Sequence, residues 1–321
     1  MSRDLNPFKN MGGGGVIAAT DAVDPAEWLG QVRLAEARAV GELEVRPLCF
    51  TGNPGRAYVL LHEALGTGSL EVREQGGGVV AEVVARNKGA EPVLILEGES
   101  IVGAKQNRVV ASTVLVGAGE SVTIPVGCVE HGRWSARGGS FDAAPLPVEP
   151  SIRKKTVQEV ASYGRLDQGR LWTDVAMKLS MREAHSSTSD YHQATEQHRR
   201  DAEERSRAFA TVPEQVGFIA LWRGGLLGLE VLGHPRNWST HARRLMPSYL
   251  LAADAAAHDA RWRPGAARRT AEGWLIEVAR AGLRTGQARG LGIPFALAGP
   301  GFSGAGLWHE GRPAHLAVFS N

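Results

Sequence analysis

Between residues 96 and 110 the chain reads LEGESIVGAKQNRVV, with Glu97 and Glu99 separated by one glycine and Lys105, Gln106, Asn107 and Arg108 in an unbroken row. In an extended segment alternate side chains share a face, so the two carboxylates would project together with Cβ atoms roughly 7 Å apart. At that spacing they can divide the roles of general acid and base, or ligate one divalent cation. Lys105 and Arg108 would hold an anion, while Gln106 and Asn107 would orient hydroxyls or base edges. Gly98 and Gly103 let the backbone bend or approach a ligand closely. A plainer arrangement uses the same residues: a hairpin in which Glu97 and Glu99 pair with Lys105 and Arg108 in solvent, where such pairs are worth little.

A second cluster, PVGCVEHGRW, follows at residues 125–134. Val122, Ile124, Val126, Cys128 and Glu130 fall on one face of an extended strand, and His131 on the other. Cys128 continues an apolar row and reads first as a small buried hydrophobe. Glu130 ends that row, and a buried carboxylate wants a cation, which Arg133 or Lys105 could supply. Trp134 suits either the core or a stacking platform for a base.

Several other patterns fail on context. Residues 299–304, GPGFSG, satisfy G-x-G-x-x-G, but they run into a hairpin instead of opening a helix. His309, Glu310 and His315 do not have the spacing of a zinc-binding helix. No phosphate-loop motif and no G-x-S-x-G elbow occurs. His192 and Glu196, four apart, read as a surface pair.

The elements that must position these residues divide the chain in three. Residues 1–42 read as a flexible lead with a tetraglycine, then a helix from Asp24-Pro25 carrying Trp28, Val32 and Ala35 at helical spacing. Residues 43–149 contain short β-branched runs: ELEVRPLCF, AYVLLHEAL, LEVRE, VVAEVVARN, PVLILEG, RVVASTVLV and SVTIPVGCVE. Breakers such as GNPGR and EQGGG separate them, which predicts an antiparallel β-sandwich-like domain, with Pro125 at an edge or bulge. Residues 150–321 turn helical at SIRKKTVQEVASYG and again at DQGRLWTDVAMKLSMREA, where Leu171, Val175 and Leu179 form one stripe. The polar stretch 189–209 suits an exposed helix or a mobile arm. Two similar hairpins, GFIALW-RGG-LLGLEVLG and AGLW-HEGR-PAHLAVF, then alternate with helices near 240–257 and 271–283. The overall expectation is an α+β protein whose second half is an antiparallel sheet covered on one side by helices.

The 321 residues carry 36 Lys and Arg against 34 Asp and Glu, a net charge of +2. That balance argues against nucleic acid as a partner. Two cysteines, Cys49 and Cys128, are no disulfide framework. No apolar run nears the roughly 20 residues that a bilayer requires, and the N-terminus has no secretory core, so a cytoplasmic protein without membrane contact is expected.

The segment LEGESIVGAKQNRVVASTVLVGAGESVTIPVGCVEHGRW closely resembles the signature of a bacterial and archaeal family, the ADP-ribosylglycohydrolase and rhodanese-phosphatase-superfamily-associated protein domain. The likeness runs from about residue 43 to 321, through Glu63, Glu74 and Asn87 upstream and Asp167, Gln168 and Trp172 downstream. The family motif falls on Glu97, Gly98, Glu99, Gly103, Lys105, Gln106, Asn107, Arg108, Cys128, Glu130, Gly132, Arg133 and Trp134. The family name implies a role near ADP-ribose or NAD-related nucleotides. The resulting expectation is a protein that binds or hydrolyses a phosphorylated ribose-type molecule. Glu97, Glu99 and Glu130 would be its catalytic carboxylates, with Lys105, Gln106, Asn107, Arg108, Cys128, Arg133 and Trp134 around the ligand and a divalent cation possible. Two rivals stand beside it: a structural module whose polar block is an internal salt-bridge network, and a metalloprotein using Glu97, Glu99, Glu130 and His131.

Overall fold

The computed structural model describes residues 23–75, 81–133, 137–163, 166–258 and 269–321. The expected flexible lead up to residue 22 lies outside that range, and so does Trp134. Asp24 caps α1 (Pro25–Gly30), accepting from the Glu27 N–H at 3.0 Å, with Pro25 in the first position. The helix stops there and does not continue to Ala35. Residues 32–34 instead form β1 (Val32–Leu34), whose backbone pairs with residues 48–50. Next come β2 (Arg38–Val40) and β3 (Leu43–Phe50), and β1 and β2 both pair with β3.

The valine-rich region contains β4 (Val59–Leu60), α2 (Leu61–Gly66), β5 (Leu70–Glu74), β6 (Glu82–Asn87) and β7 (Val93–Ile95). It continues with β8 (Ser100–Ala104), β9 (Arg108–Val110), β10 (Val114–Val116), β11 (Ser121–Cys128) and β12 (Arg137–Ala143). The expected sandwich is a closed barrel of six strands in the order β11-β6-β5-β12-β8-β9. A short β10-β7-β4 sheet lies alongside, in which β4 and β7 are parallel. Closure leaves no exposed edges, and the alternating apolar rows point to one interior containing Val72, Val83, Ile101, Ile124 and Phe141. Pro125 is the last residue of β11 paired with β6; Val126 to Cys128 pair with β9. The run AYVLLHEAL is not a continuous strand: after Leu60 it coils into α2, where Glu63 accepts the Leu60 N–H at 2.9 Å.

Helices α3 (Pro150–Tyr163), α4 (Gln168–Met181) and α5 (Tyr191–Ser206) follow. Leu171, Val175 and Leu179 are buried as one stripe. The polar α5 packs against the later helix α6 (Pro235–His258) and buries Tyr191, Ala194 and Ala202. Both expected hairpins form, β13 (Gln215–Trp222) with β14 (Gly225–Val231) and β17 (Phe302–His309) with β18 (Arg312–Ser320). Each turns through two residues of positive φ, Arg223-Gly224 and Glu310-Gly311, as tight hairpins require. Helix α7 (Ala271–Ala279) and strands β15 (Gly282–Thr285) and β16 (Ile293–Gly299) lie between them.

These strands form one antiparallel sheet in the order β1-β3-β13-β14-β18-β17-β16-β15, with β2 beside β3. β3, expected with the strands that follow it, therefore joins the sheet of the second half. Helices cover both faces instead of one. On one face α6 buries Trp238, Leu245 and Tyr249 against Phe218 and Ala220. On the other, Trp28 of α1 and Trp274 of α7 pack with Phe50, Phe295 and Phe302. β13 is buried along its whole length, as a strand covered on both sides must be. No helix among the described residues is long and apolar enough to cross a membrane.

Candidate functional site

The strand that leads into the polar block, β7 of the short sheet beside the barrel, ends at Ile95, and the next residues turn. The Glu99 N–H donates to the Leu96 carbonyl at 3.2 Å, and Gly98 has φ +79°. The alternation expected for a strand therefore stops before Glu97, and the two carboxylates take different partners. Glu97 meets Arg153 of α3. Glu99 accepts from Arg244 of α6 at 2.7 Å and from its own Leu96 N–H at 3.2 Å. Arg244 also lies 3.0 Å from His62 Nδ1. The facing acid/base pair is thus corrected to two separate ion pairs, each reaching a different helix.

Arg153 is the hub of the first network. Its guanidinium donates to Glu97 and to Glu230 of β14, and all three side chains are at most 2% exposed. Tyr249 donates to Glu230 at 2.7 Å. His315 Nδ1 lies 2.8 Å from Thr113 Oγ1, and Oγ1 itself accepts the Glu97 N–H at 3.1 Å. The other ring nitrogen, His315 Nε2, lies 3.7 Å from Glu230. Burial raises the Glu230 pKa, but Arg153 and His315 outweigh it and hold the carboxyl below its usual value. Burial likewise opposes the Arg153 charge, yet Glu230 and Glu97 hold its pKa well above normal. His241 beside this network is pushed well below its ordinary value by burial and by nearby Arg244 and Arg153.

The rest of the block closes on itself. Arg133 donates to both Glu130 oxygens at 2.9 and 3.0 Å, to the Ala104 carbonyl at 2.7 Å and to Asn107 Oδ1 at 3.2 Å. Glu130 also accepts from the Asn107 N–H at 3.1 Å and the Thr188 hydroxyl at 2.9 Å. Burial works against its ionisation, but the Arg133, Asn107 and Thr188 bonds keep its pKa lowered. Gln106 donates to the His131 carbonyl at 3.2 Å. Arg108, buried, reaches Cys128 Sγ and Glu74. Burial pushes the Cys128 thiol up to about 11 against the opposing pull of Arg108, so it is neutral at physiological pH and a poor nucleophile. Gln168 of α4 brackets the Cys128 backbone, accepting its N–H at 2.7 Å and donating to its carbonyl at 2.8 Å. Lys105 is the cation of this block that reaches the surface, at 38% exposure and 3.8 Å from Glu74.

The residues expected around an anion are engaged in inward ion pairs. Arg108 and Arg133 are 3% and 5% exposed. Glu97, Glu99 and Glu130 each face an arginine and not one another. No group of three or more His, Cys, Asp or Glu able to hold a metal ion occurs among the described residues.

An open cleft lies elsewhere, where α3, α4, α6 and the end of β18 meet, with a volume of about 240 Å³. Glu149, fully buried just before α3, holds Lys178, which lines the cleft. It binds Lys178 at 3.0 Å, Arg182 at 2.6 Å and the Tyr191 hydroxyl at 3.1 Å. Burial would raise its pKa, but Lys178 and Arg182 hold it lowered. Lys155 pairs with Asp174 across the cleft. Lys154, half-buried beside them, has no ion-pair partner among the described residues, and burial with the neighbouring Lys155 lowers its pKa. The Ser151 hydroxyl is buried without a hydrogen-bond partner among the described residues. Met177 and Met181, 45% and 38% exposed, form an apolar wall with Phe319 and Ala256.

Sequence reasoning recognised both helices but not this cleft. Its legible traces are the adjacent cations Lys154 and Lys155 in the opening turns of α3, and the Met177/Met181 pair lying off the buried stripe of α4.

No curated protein and no solved structure matches the chain. Residues 31–319, nearly the whole length, match the model of one family. The chain belongs to the ARPP-1 family, the ARG and Rhodanese-Phosphatase-superfamily-associated Protein domain.

Proposed function

We propose that the protein binds a small phosphorylated molecule of the ribose or nucleotide kind, and that it does so in the cleft between α3, α4 and α6. The observation that carries this reading is Lys154: a half-buried lysine with no ion-pair partner among the described residues, on the wall of a cleft that Ser151 also lines. A partly desolvated cation next to a second cation is relieved by an incoming anion. The exposed methionine wall opposite gives the ligand an apolar face to rest on, and thioethers adapt well to flat rings. The family's name points to the same chemistry through its association with ADP-ribose-removing and phosphatase-like proteins. The carboxylate in the cleft, Asp174, is held by Lys155, so the arrangement favours binding over hydrolysis.

Calorimetric titration with AMP, ribose 5-phosphate and ADP-ribose tests the reading. Lys154→Ala should weaken binding by about tenfold, the loss of one charge-assisted contact of ~1.5 kcal/mol. Glu99→Gln should leave affinity unchanged. If the effects are reversed, the ligand belongs at the 96–110 block. If none of the three compounds binds, the proposal falls.

A second reading, for the block itself, is favoured by Arg153. Glu97 comes from the turn after a short strand beside the barrel, Arg153 from α3 and Glu230 from the large sheet, so the buried pairs tie three parts of the molecule together. In this reading the block is an internal salt-bridge network that fixes orientation, a role buried ion pairs serve better than they serve net stability.

A further inference from the structure

The cleft does not end at Lys155 and Asp174. The same two residues line a second, shallower groove of about 720 Å³, on the far side of their ion pair. The inner cleft alone, at about 240 Å³, is below the ~300–1,000 Å³ usual for small-molecule sites, and the outer groove, at about 720 Å³, supplies most of the room. The compartments differ in chemistry. The inner one pairs an apolar wall of Met177, Met181 and Phe319 with the cations Lys154 and Lys155. The outer one is lined by polar and charged residues, with Gln158, Thr173, Ser303 and Asn321 set among the charges of Glu159 and Arg170.

The outer polar groups are already organised. Gln158 Nε2 donates to Ser303 Oγ at 3.1 Å and to Asn321 Oδ1 at 2.8 Å, and the Ser303 hydroxyl donates to the same Oδ1 at 2.9 Å. Asn321 Oδ1 is thereby occupied, and its amide N–H groups remain to donate outward. Gln158 Oε1 remains to accept. Donors and acceptors side by side, with little net charge, match the paired hydroxyls of a sugar better than a second phosphate.

Resting on the binding reading above, we infer that the two compartments form one extended site for a nucleoside diphosphate sugar. The base lies on the methionine wall, the diphosphate meets Lys154 and Lys155, and the sugar occupies the outer groove beside Gln158, Thr173 and Asn321. Lys155 stands at the boundary of the arrangement, since it lines both compartments and is half exposed there.

Titration of the full chain with ADP, ADP-ribose and ADP-glucose tests this. ADP should bind, and each sugar-bearing form should bind about tenfold more tightly, the increment of one or two well-placed neutral hydrogen bonds. Gln158→Ala and Thr173→Ala, both surface changes, should each reduce that increment and leave the ADP affinity as it was. Equal affinity for ADP and its sugar conjugates would overturn the inference while leaving the binding reading intact, and so would variants that weaken all three ligands alike. If ADP does not bind, or binds equally well to Lys154→Ala, the underlying reading fails and the extended site falls with it.

Discussion

A Cβ added to Gly98 would stand 2.4 Å from Nε and 2.5 Å from Cδ of Arg153. The arginine stem fills the space that any other residue at position 98 would need, so the glycine between Glu97 and Glu99 serves the packing of a buried guanidinium. Its φ of +79° adds a second requirement, since the left-handed region is costly for L side chains.

Gly98→Ala should therefore destabilise the fold by ~3 kcal/mol or more, combining backbone strain with displacement of Arg153. Urea denaturation checks this. An unchanged midpoint would mean that Arg153 can withdraw without cost, and the hub would lose its importance.

Arg153→Met leaves Glu97 and Glu230 buried without their cation and should cost ~3–5 kcal/mol. Adding Glu97→Gln and Glu230→Gln to the same chain should recover much of that loss, because the stranded charges are then gone. Failure of the triple variant to regain stability would show that the arginine acts through shape alone.

Cys128 should resist alkylation in the folded protein at pH 7.5 and react readily once the chain is unfolded, since its thiol pKa is about 11. Rapid labelling of the native protein at Cys128, read by peptide mapping, would contradict its burial.

His241 supplies a pH dependence near neutrality. Its folded pKa is well below 6.5, so in the window below 6.5 the unfolded chain binds a proton that the folded one refuses. Stability from this group is complete above pH 6.5 and declines as pH falls below it. Because His241 Nδ1 has no hydrogen-bond partner among the described residues, His241→Leu should keep most of the stability at pH 8 and flatten the slope between pH 6.5 and 5. A slope as steep as that of the parent would shift responsibility to His62 or His192, whose pKa values are also lowered.

Glu149 has the carboxylate version of this linkage. Its folded pKa lies below the ordinary 4.5, so its contribution is complete above that value and is lost as pH falls through the lower folded one. Glu149→Gln should reduce stability at pH 7 by ~3–5 kcal/mol, as Lys178 and Arg182 lose their partner, and by progressively less in acid. A loss independent of pH would show that the charge is not what matters.

The amino-acid sequence by itself determined the periodicities and the turns. Period-two valine runs made the strands of the barrel, Leu171, Val175 and Leu179 fixed the buried side of α4, and Arg223-Gly224 and Glu310-Gly311 closed the hairpins. Such features depend on neighbours within a few residues, and so local spacing reveals them. The sequence likewise marked the 96–110 block as unusual, because that many charges between apolar strands must find partners.

Which partners they found was a tertiary decision. Glu99 and Arg244 are 145 residues apart, and Arg153 and Glu230 are 77 apart. Their meeting depends on how the barrel, α3, α6 and the large sheet pack, so no local pattern forecasts it. The same packing turned a row of apparent ligand-binding residues inward and opened a cleft at Lys154, where only an adjacent pair of lysines and two methionines off the buried stripe had hinted at anything. Charge and hydropathy say that a residue needs a partner or a cover. Only the folded chain settles which one arrives, because distant segments compete to supply it and the one that completes the densest packing wins.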